Sequence, residues 1–371
     1  MILPVIVLTA GGTGGHLFPA EALATALKEA GARVVLMTDE RANAYSASFP
    51  ADEIIEISSG TPSGRSIPQM AKAALRLGGG TLKAVGALRR LKPAVVVGFG
   101  GYPTVPPVIA ASLLGIPSLL HEANGVMGRA NRFLARRAAV IATGFADTRG
   151  IPAGISGSVV QTGNPIRPSV RDAAQIAYGP PGAGERFNLL VTGGSQGARV
   201  MSDVVPPAIE LLPSALRARL IVVQQARGED LERVRASYAR LGLAFEAEPF
   251  FKDLPRRIAD AHLVIARSGA STIAELAVIG RPSILVPLPG AIDQDQAANA
   301  KVLGDIGAAI VIPQVGFTPE RLSAELRKAL ETPEHLTKAA QAAHSASITD
   351  AADRLARAVL QLASHQNGKN S

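Results

Sequence analysis

The 371-residue sequence has no cysteine and no tryptophan. Without cysteine there are no disulfides, thiolate zinc sites, iron–sulfur clusters or cysteine nucleophiles, a composition that suits a reducing compartment. Aromatic residues make up 4% of the chain, and no recognition motif for DNA or RNA is present, so nucleic acid is not an expected partner. Charged residues account for 18% and apolar residues for 47%, proportions of neither a disordered nor a fibrous chain. A long apolar run is also missing. The longest uncharged stretch, residues 93–120, is broken by Pro103, Pro106, Pro107 and Pro117, which argues against a spanning helix. The start, Met1 to Val5, lacks the basic region and cleavage site of a signal peptide and reads as a first strand. Acid is scarce in one region: between Glu56 and Asp147 only Glu122 is acidic.

That scarcity places much of the net charge of +8 in the first half of the chain, and points to an anionic partner such as a phosphorylated ligand or a membrane surface. The 371 residues suggest two domains. Short apolar runs alternate with Ala/Leu-rich helical stretches. The runs cover residues 5–10, 33–38, 54–57, 94–99, 116–120 and 139–143, then 187–192, 220–224, 263–266, 283–287 and 308–312. Many are continuously apolar, as strands buried on both faces are, and the alternation predicts parallel βαβ units. Between the two series, Asn164-Pro165-Ile166-Arg167-Pro168 resists helix and central strand alike and reads as a hinge. The last strong helical stretch is 348–363, followed by a polar tail.

Three glycine runs follow strands: Gly11-Gly12-Thr13-Gly14-Gly15-His16, Gly98-Phe99-Gly100-Gly101-Tyr102 and Gly193-Gly194-Ser195-Gln196-Gly197. A glycine turn lets the backbone approach an anion, and the following helix N-terminus offers free N–H groups. Such loops at matching places in two half-chains point to a phosphate-bearing ligand. The dinucleotide fingerprint is half met, because Leu17 stands where a third Gly or Ala is wanted. Asp39 after the second strand could bind a ribose, so a nicotinamide enzyme stays open at this point. His16, at the start of a helix expected from about Leu17, is either a neutral general base or a capping, phosphate-contacting residue. In Arg267-Ser268-Gly269-Ala270-Ser271-Thr272-Ile273-Ala274-Glu275 the arginine could pair with a diphosphate and the hydroxyls could donate, while Glu275 could accept both hydroxyls of a ribose. Asp293-Gln294-Asp295-Gln296 holds an Asp-x-Asp, which helix capping explains as well as a metal would; no metal and no cofactor is expected.

Together with His121-Glu122-Ala123-Asn124, Gly163 to Arg167 and Gln296-Ala297-Ala298-Asn299, these pieces resemble the MurG family over essentially the whole chain. Those glycosyltransferases add N-acetylglucosamine to the lipid-linked muramoyl-pentapeptide precursor of peptidoglycan. The resemblance implies the α/β GT-B fold, two Rossmann-like parallel-sheet domains facing across a cleft. Residues 1–163 would form the acceptor domain and 164–345 the UDP-sugar domain, with a final helix in 346–371 crossing back. It further implies that Ser195 and Arg167 contact the diphosphate, the backbone at Phe251 the uracil, Glu275 the ribose, and Gln296 and Asn299 the sugar, with Gln294 an alternative to Gln296. Thr13, Gly14, Gly15, His16 and Asn124 would close over the reaction centre. Gly12, Gly100, Gly101 and Tyr102 are expected to hold the diphosphate of the lipid acceptor. One departure is Ala123, where the family often has Gln.

The implied chemistry is inverting attack of the muramoyl 4-hydroxyl on the anomeric carbon with loss of UDP. His16 is the first candidate base and Glu122 the second. A polyprenyl acceptor stays in the membrane, so a peripheral place on the cytoplasmic face of the inner membrane is expected, with cell-wall synthesis proteins as further partners. Residues 65–92 suit docking to an anionic surface. Met70, Ala74, Leu77, Leu82, Val85 and Leu88 recur at near-helical spacing, and Arg65, Lys72, Arg76, Lys83, Arg89, Arg90 and Lys92 interleave. Those apolar positions could equally be ordinary core. Rival readings are another GT-B nucleotide-sugar enzyme, such as an epimerase, and a non-catalytic membrane-peripheral binding protein.

Overall fold

A computed structural model of the chain describes residues 3–11, 14–40, 49–59, 67–182, 184–194, 197–290 and 295–367. The chain forms two compact units, Met1–Arg167 with Asp350–Ser371, and Pro168–Thr349.

The first unit is built on seven strands: β1 (Val5–Thr9), β2 (Arg33–Thr38), β3 (Glu53–Glu56), β4 (Val95–Gly98), β5 (Ser118–Glu122), β6 (Val140–Thr143) and β7 (Ser158–Gln161). Their order is β3-β2-β1-β4-β5-β6-β7, and every pairing is parallel. Ile6, Val7, Leu8, Val95, Val96 and Val97 are fully buried, because helices cover both sheet faces. Helices α1 (Gly14–Glu29), α2 (Ile67–Leu91), α3 (Val105–Leu113) and α4 (Arg129–Leu134) follow strands in sequence. The last helix of the chain, α14 (Ala351–Asn367), packs on α1 and adds Leu355, Ala356 and Val359 to the same core.

The second unit has β8 (Phe187–Thr192), β9 (Leu220–Gln225), β10 (Ala244–Glu248), β11 (Leu263–Ala266), β12 (Ser283–Leu285) and β13 (Ala309–Val311). The order is β10-β9-β8-β11-β12-β13, again all parallel. Its helices are α5 (Pro168–Ala173), α6 (Arg199–Glu210), α7 (Ser214–Arg217), α8 (Gly228–Arg240), α9 (Leu254–Asp260), α10 (Ala270–Ile279), α11 (Asp295–Gly304), α12 (Pro319–Glu331) and α13 (Glu334–Ser345).

Several details differ from the sequence reading. Helix α1 begins at Gly14 rather than near Leu17, so His16 lies in its first turn. Pro168 does not resist a helix but opens one, α5, since a proline at the first helical position removes an N–H that has no partner there anyway. Two strands went unrecognised. β7 is exposed along its length and β10 reads Ala-Phe-Glu-Ala-Glu. Both are edge strands, which have no second neighbour to demand apolar residues. In α2, Leu88 is buried, and Leu77 and Val85 pack against the core, so these three positions belong to the fold and not to an outward apolar face.

Candidate active site

In a parallel α/β sheet, ligands bind beyond the C-terminal ends of the strands where the strand order reverses. The reversals here fall between β1 and β4 in the first unit, and between β8 and β11 in the second. The glycine runs and the Arg267–Glu275 segment leave from these four strands.

In the first unit, β4 leads into a tight loop. Gly100 and Gly101 have φ values of 90° and 76°, a left-handed region that favours glycine. The Thr104 hydroxyl donates to the Gly100 carbonyl (2.7 Å) and is also placed to reach the Thr9 carbonyl (3.2 Å). The Thr9 hydroxyl donates to the Pro103 carbonyl (3.3 Å). The loop is thereby tied to the end of β1. The His16 imidazole lies beneath it: a Cβ added at Gly100 would stand 3.4 Å from Nε2, and one at Gly101 3.5 Å from Cε1. His16, Gly100 and Gly101 are thus brought together, with Gly11 also beside the ring. Around Gly15 there is open space. Tyr102 begins the short turn that precedes α3. Gly12 and Thr13 lie outside the described residues.

Glu122 ends β5, buried. Its Oε1 accepts from the Asn124 backbone N–H (3.0 Å) and side-chain amide (3.3 Å), and its Oε2 from the Gly128 N–H (3.0 Å) and the Asn131 amide (2.8 Å). Burial nonetheless pushes its carboxyl above the usual range. The loop that carries Asn124 is also held from Asn164, whose amide donates to the Ala123 carbonyl (2.9 Å). The Ala123 side chain is buried, which accounts for a small apolar residue there. His121 is buried beside Phe99, with its Nε2 3.2 Å from the Gly163 carbonyl. Burial brings its pKa down to about 4, against the Gly163 hydrogen bond that raises it. The Arg167 guanidinium stacks on the Phe18 ring at 4.0 Å and lies near Glu21, whose carboxyl burial pushes up.

In the second unit the loop after β8 closes so tightly that a Cβ at Gly193 would stand 2.2 Å from the Ala198 nitrogen. Ser195 in this loop lies outside the described residues. Arg267 is buried, with Nη1 donating to the Val286 and Pro287 carbonyls (3.0 and 3.1 Å) and Nη2 to Gln314 Oε1 (2.5 Å). Ala270, Ser271 and Thr272 form the first turn of α10, with Glu275 buried in the following turn. The Ser268 hydroxyl donates to the Gln296 carbonyl (2.8 Å), Gln296 Oε1 accepts from the Leu288 N–H (3.0 Å), and the Asn299 amide donates to the Ser268 carbonyl (3.1 Å). The start of α11 is so pinned to the loop before α10, which brings Gln296 and Asn299 to the end of β11. Gln294 and Asp293 lie outside the described residues. Phe251 is buried beneath the Arg257 guanidinium at 4.3 Å. Among the described residues, no group of three or more His, Asp or Glu could hold a metal.

Sequence reasoning missed Gln225. Buried at the end of β9, its Oε1 accepts from the Thr192 hydroxyl (2.9 Å) and the Gly193 N–H (3.0 Å), and its Nε2 donates to the Pro249 carbonyl (3.1 Å). The available signal was a polar pair, Gln224-Gln225, closing an apolar strand.

Two family models match the chain: the glycosyltransferase family 28 N-terminal domain over residues 6–143 and the family 28 C-terminal domain over residues 188–355. A protein of Methylorubrum extorquens is 60% identical over 361 residues, 97% of this chain and 98% of its own. One of Rhodopseudomonas palustris is 56% identical over 360 residues, 97% of this chain and 98% of its own. Both are named UDP-N-acetylglucosamine–N-acetylmuramyl-(pentapeptide) pyrophosphoryl-undecaprenol N-acetylglucosamine transferase. The chain belongs to the MurG family of glycosyltransferases. The crystal structure of Acinetobacter baumannii MurG superimposes with a TM-score of 0.74 at 32% identity, covering 96% of this chain and 99% of that one. A UDP-N-acetylglucosamine 2-epimerase matches at 13% identity with a TM-score of 0.65, covering 95% of this chain and 94% of its own, a likeness of fold alone. Membership of the MurG family sets aside the nicotinamide reading of Gly12-x-Gly14 and Asp39, and the non-catalytic reading.

Proposed function

We propose that the chain transfers N-acetylglucosamine from UDP-N-acetylglucosamine to the 4-hydroxyl of the muramoyl-pentapeptide carried on undecaprenyl diphosphate, with inversion. The full-length match to relatives named for that transfer carries the reading. Support from the geometry is the imidazole of His16 beneath the Gly100–Gly101 turn that follows β4. His16 takes the proton of the attacking hydroxyl, a role that typically contributes about 10²–10⁴-fold. In the first turn of α1 the helix dipole favours its neutral form. Glu122, with four donors on its two oxygens, positions Asn124 rather than competing as base.

In the second unit, Glu275 receives the ribose, the Phe251 backbone the uracil, and Gln296 and Asn299 the sugar hydroxyls. The diphosphate lies on the Gly193–Ala198 loop and the first turn of α10, at Ala270, Ser271 and Thr272. There, fixed N–H groups stabilise the charge that develops on UDP. Gly14, Gly15 and the Gly100–Tyr102 loop receive the acceptor.

No helix among the described residues is long and apolar enough to cross a membrane. We place the chain peripherally on the cytoplasmic face of the inner membrane, where its lipid-borne acceptor is. Leu75 and Leu82 on α2 are about three-quarters exposed, and Leu113 on α3 and Phe133 on α4 are exposed as well. Arg76, Lys83 and Arg89 on α2 are exposed beside them. Each cation near an anionic leaflet adds about 1 kcal/mol. Arg90 is paired with Glu53 and contributes less. Arg65 and the side chains of Met70 and Lys72 lie outside the described residues.

The test is incubation of the purified protein with radiolabelled UDP-N-acetylglucosamine and lipid-linked muramoyl-pentapeptide in EDTA. Label entering the lipid fraction is expected. Isomerised sugar in the aqueous fraction with unlabelled lipid would replace the transferase by an epimerase.

A further inference from the structure

We propose that Arg227 binds the donor, its guanidinium taking a phosphate oxygen of the nucleoside diphosphate at the Gly193–Ala198 loop; this rests on the UDP-sugar reading above. Arg227 follows β9 and precedes α8, two residues after Gln225. Because Gln225 bonds to Thr192 and Gly193 on one side and to Pro249 on the other, this short segment has a set place. It lies between the phosphate loop and the stretch that leads to Phe251. The Arg227 side chain lies against Gly197 of the loop: a Cβ added at Gly197 would stand 3.0 Å from its Cγ, and its Nη2 donates to the Gly197 carbonyl (3.3 Å).

The hydrogen-bonding capacity of this guanidinium is largely unfilled. Its Nε is shielded from solvent and has no partner. The one carboxylate beside it among the described residues, Glu229, is 3.7 Å away and exposed, a contact of little strength. Arg267 differs. Three of its donor contacts already go to Val286, Pro287 and Gln314, so it holds the β12 end together and adds a fixed positive field. The two guanidiniums are near enough for the charge of Arg227 to help push the Arg267 pKa down. Two neighbouring cations, neither closely paired with an acid among the described residues, favour an anion between them. An arginine fork suits phosphate oxygens, and the charge-assisted bond is among the stronger ones a protein makes.

The test is calorimetric binding of UDP and of uridine to the full chain and to its Arg227→Gln and Arg227→Lys variants. Arg227→Gln is expected to weaken UDP by about tenfold or more while leaving uridine within about twofold, and Arg227→Lys to recover part of the loss. Unchanged UDP affinity in Arg227→Gln would overturn the proposal. Equal loss of UDP and uridine would overturn it too, because that marks collapse of the segment rather than a missing phosphate contact. Wild-type protein that binds UDP no more tightly than uridine would remove the UDP-sugar reading itself, and the proposal with it.

Discussion

His16 and His121 lie close together in different surroundings. His16 sits at the mouth of a glycine loop with open space beside Gly15. His16→Ala is expected to lower kcat by about 10²–10⁴-fold with donor affinity little changed. Single-turnover transfer beside UDP binding checks this, and near-normal turnover would remove the base assignment. His121 is buried with its pKa depressed from 6.5 to about 4. Its folded state favours the neutral ring, so the unfolded chain binds the extra proton between those values. Stability is therefore full above pH 6.5 and is lost as the pH falls toward 4, by about 3 kcal/mol. Urea unfolding at a series of pH values should show this slope, and His121→Gln should flatten it. His262 in the second unit, whose Nδ1 accepts from the Asn188 N–H (2.8 Å) and whose pKa burial also lowers, leaves a residual slope of the same sign.

At the scale of elements, a single helix can serve the core on one face and the surface on another. In α2 the positions of Ala84, Leu88 and Leu91 point inward, while Leu75 and Leu82 point outward among basic residues. Near-helical spacing alone admits several faces, and the one first read from the sequence mixed the two. Replacing Leu75 and Leu82 together by Ser is expected to reduce binding to anionic vesicles several-fold, with little effect on unfolding, because exposed side chains change stability by only about 0.5 kcal/mol. Vesicle sedimentation beside a urea melt separates the two effects. Unchanged sedimentation would take α2 out of membrane docking. The loop elements behave differently: Gly100 to Thr104 and Asn124 to Asn131 get their shape from hydrogen bonds to neighbouring strand ends.

For the whole molecule, the chain ends where it began, with α14 supplying Ala352, Leu355, Ala356, Val359 and Ala363 to the core around β1 and α1. Removing residues 350–371 uncovers that face and should cost on the order of 5 kcal/mol. Hydrogen exchange is expected to show lost protection in β1 and β4 and retained protection in β8 and β11. Retained protection in β1 and β4 would show that α14 is dispensable to the first core. The second unit relies on a different device. Arg281, 1% exposed, donates to the carbonyls of Ala259, Ile279, Gly280 and Ile176, fastening α9, the end of α10 and the stretch after α5 to one another.

Apolar runs buried on both faces, such as Val95–Gly98 and Leu263–Ala266, declare parallel strands by composition, and glycine runs after them declare the phosphate loops. Both are local signals, and with the family resemblance they made the architecture legible in the sequence alone. Tertiary structure decided what depends on partners distant in the chain. The edge strands β7 and β10 carry no burial signal and exist only through pairing with β6 and β9. Nearer in the chain, Glu122 became the hub of a loop because Asn124, Gly128 and Asn131 turn back upon it. Arg267 reads in the sequence as a partner for a diphosphate, and the fold adds its contacts to Val286, Pro287 and Gln314, while Gln225 and Arg227 acquired their places from a loop thirty or more residues earlier. Spacing along the chain reports which face a residue occupies; which groups meet there depends on how the strands are ordered.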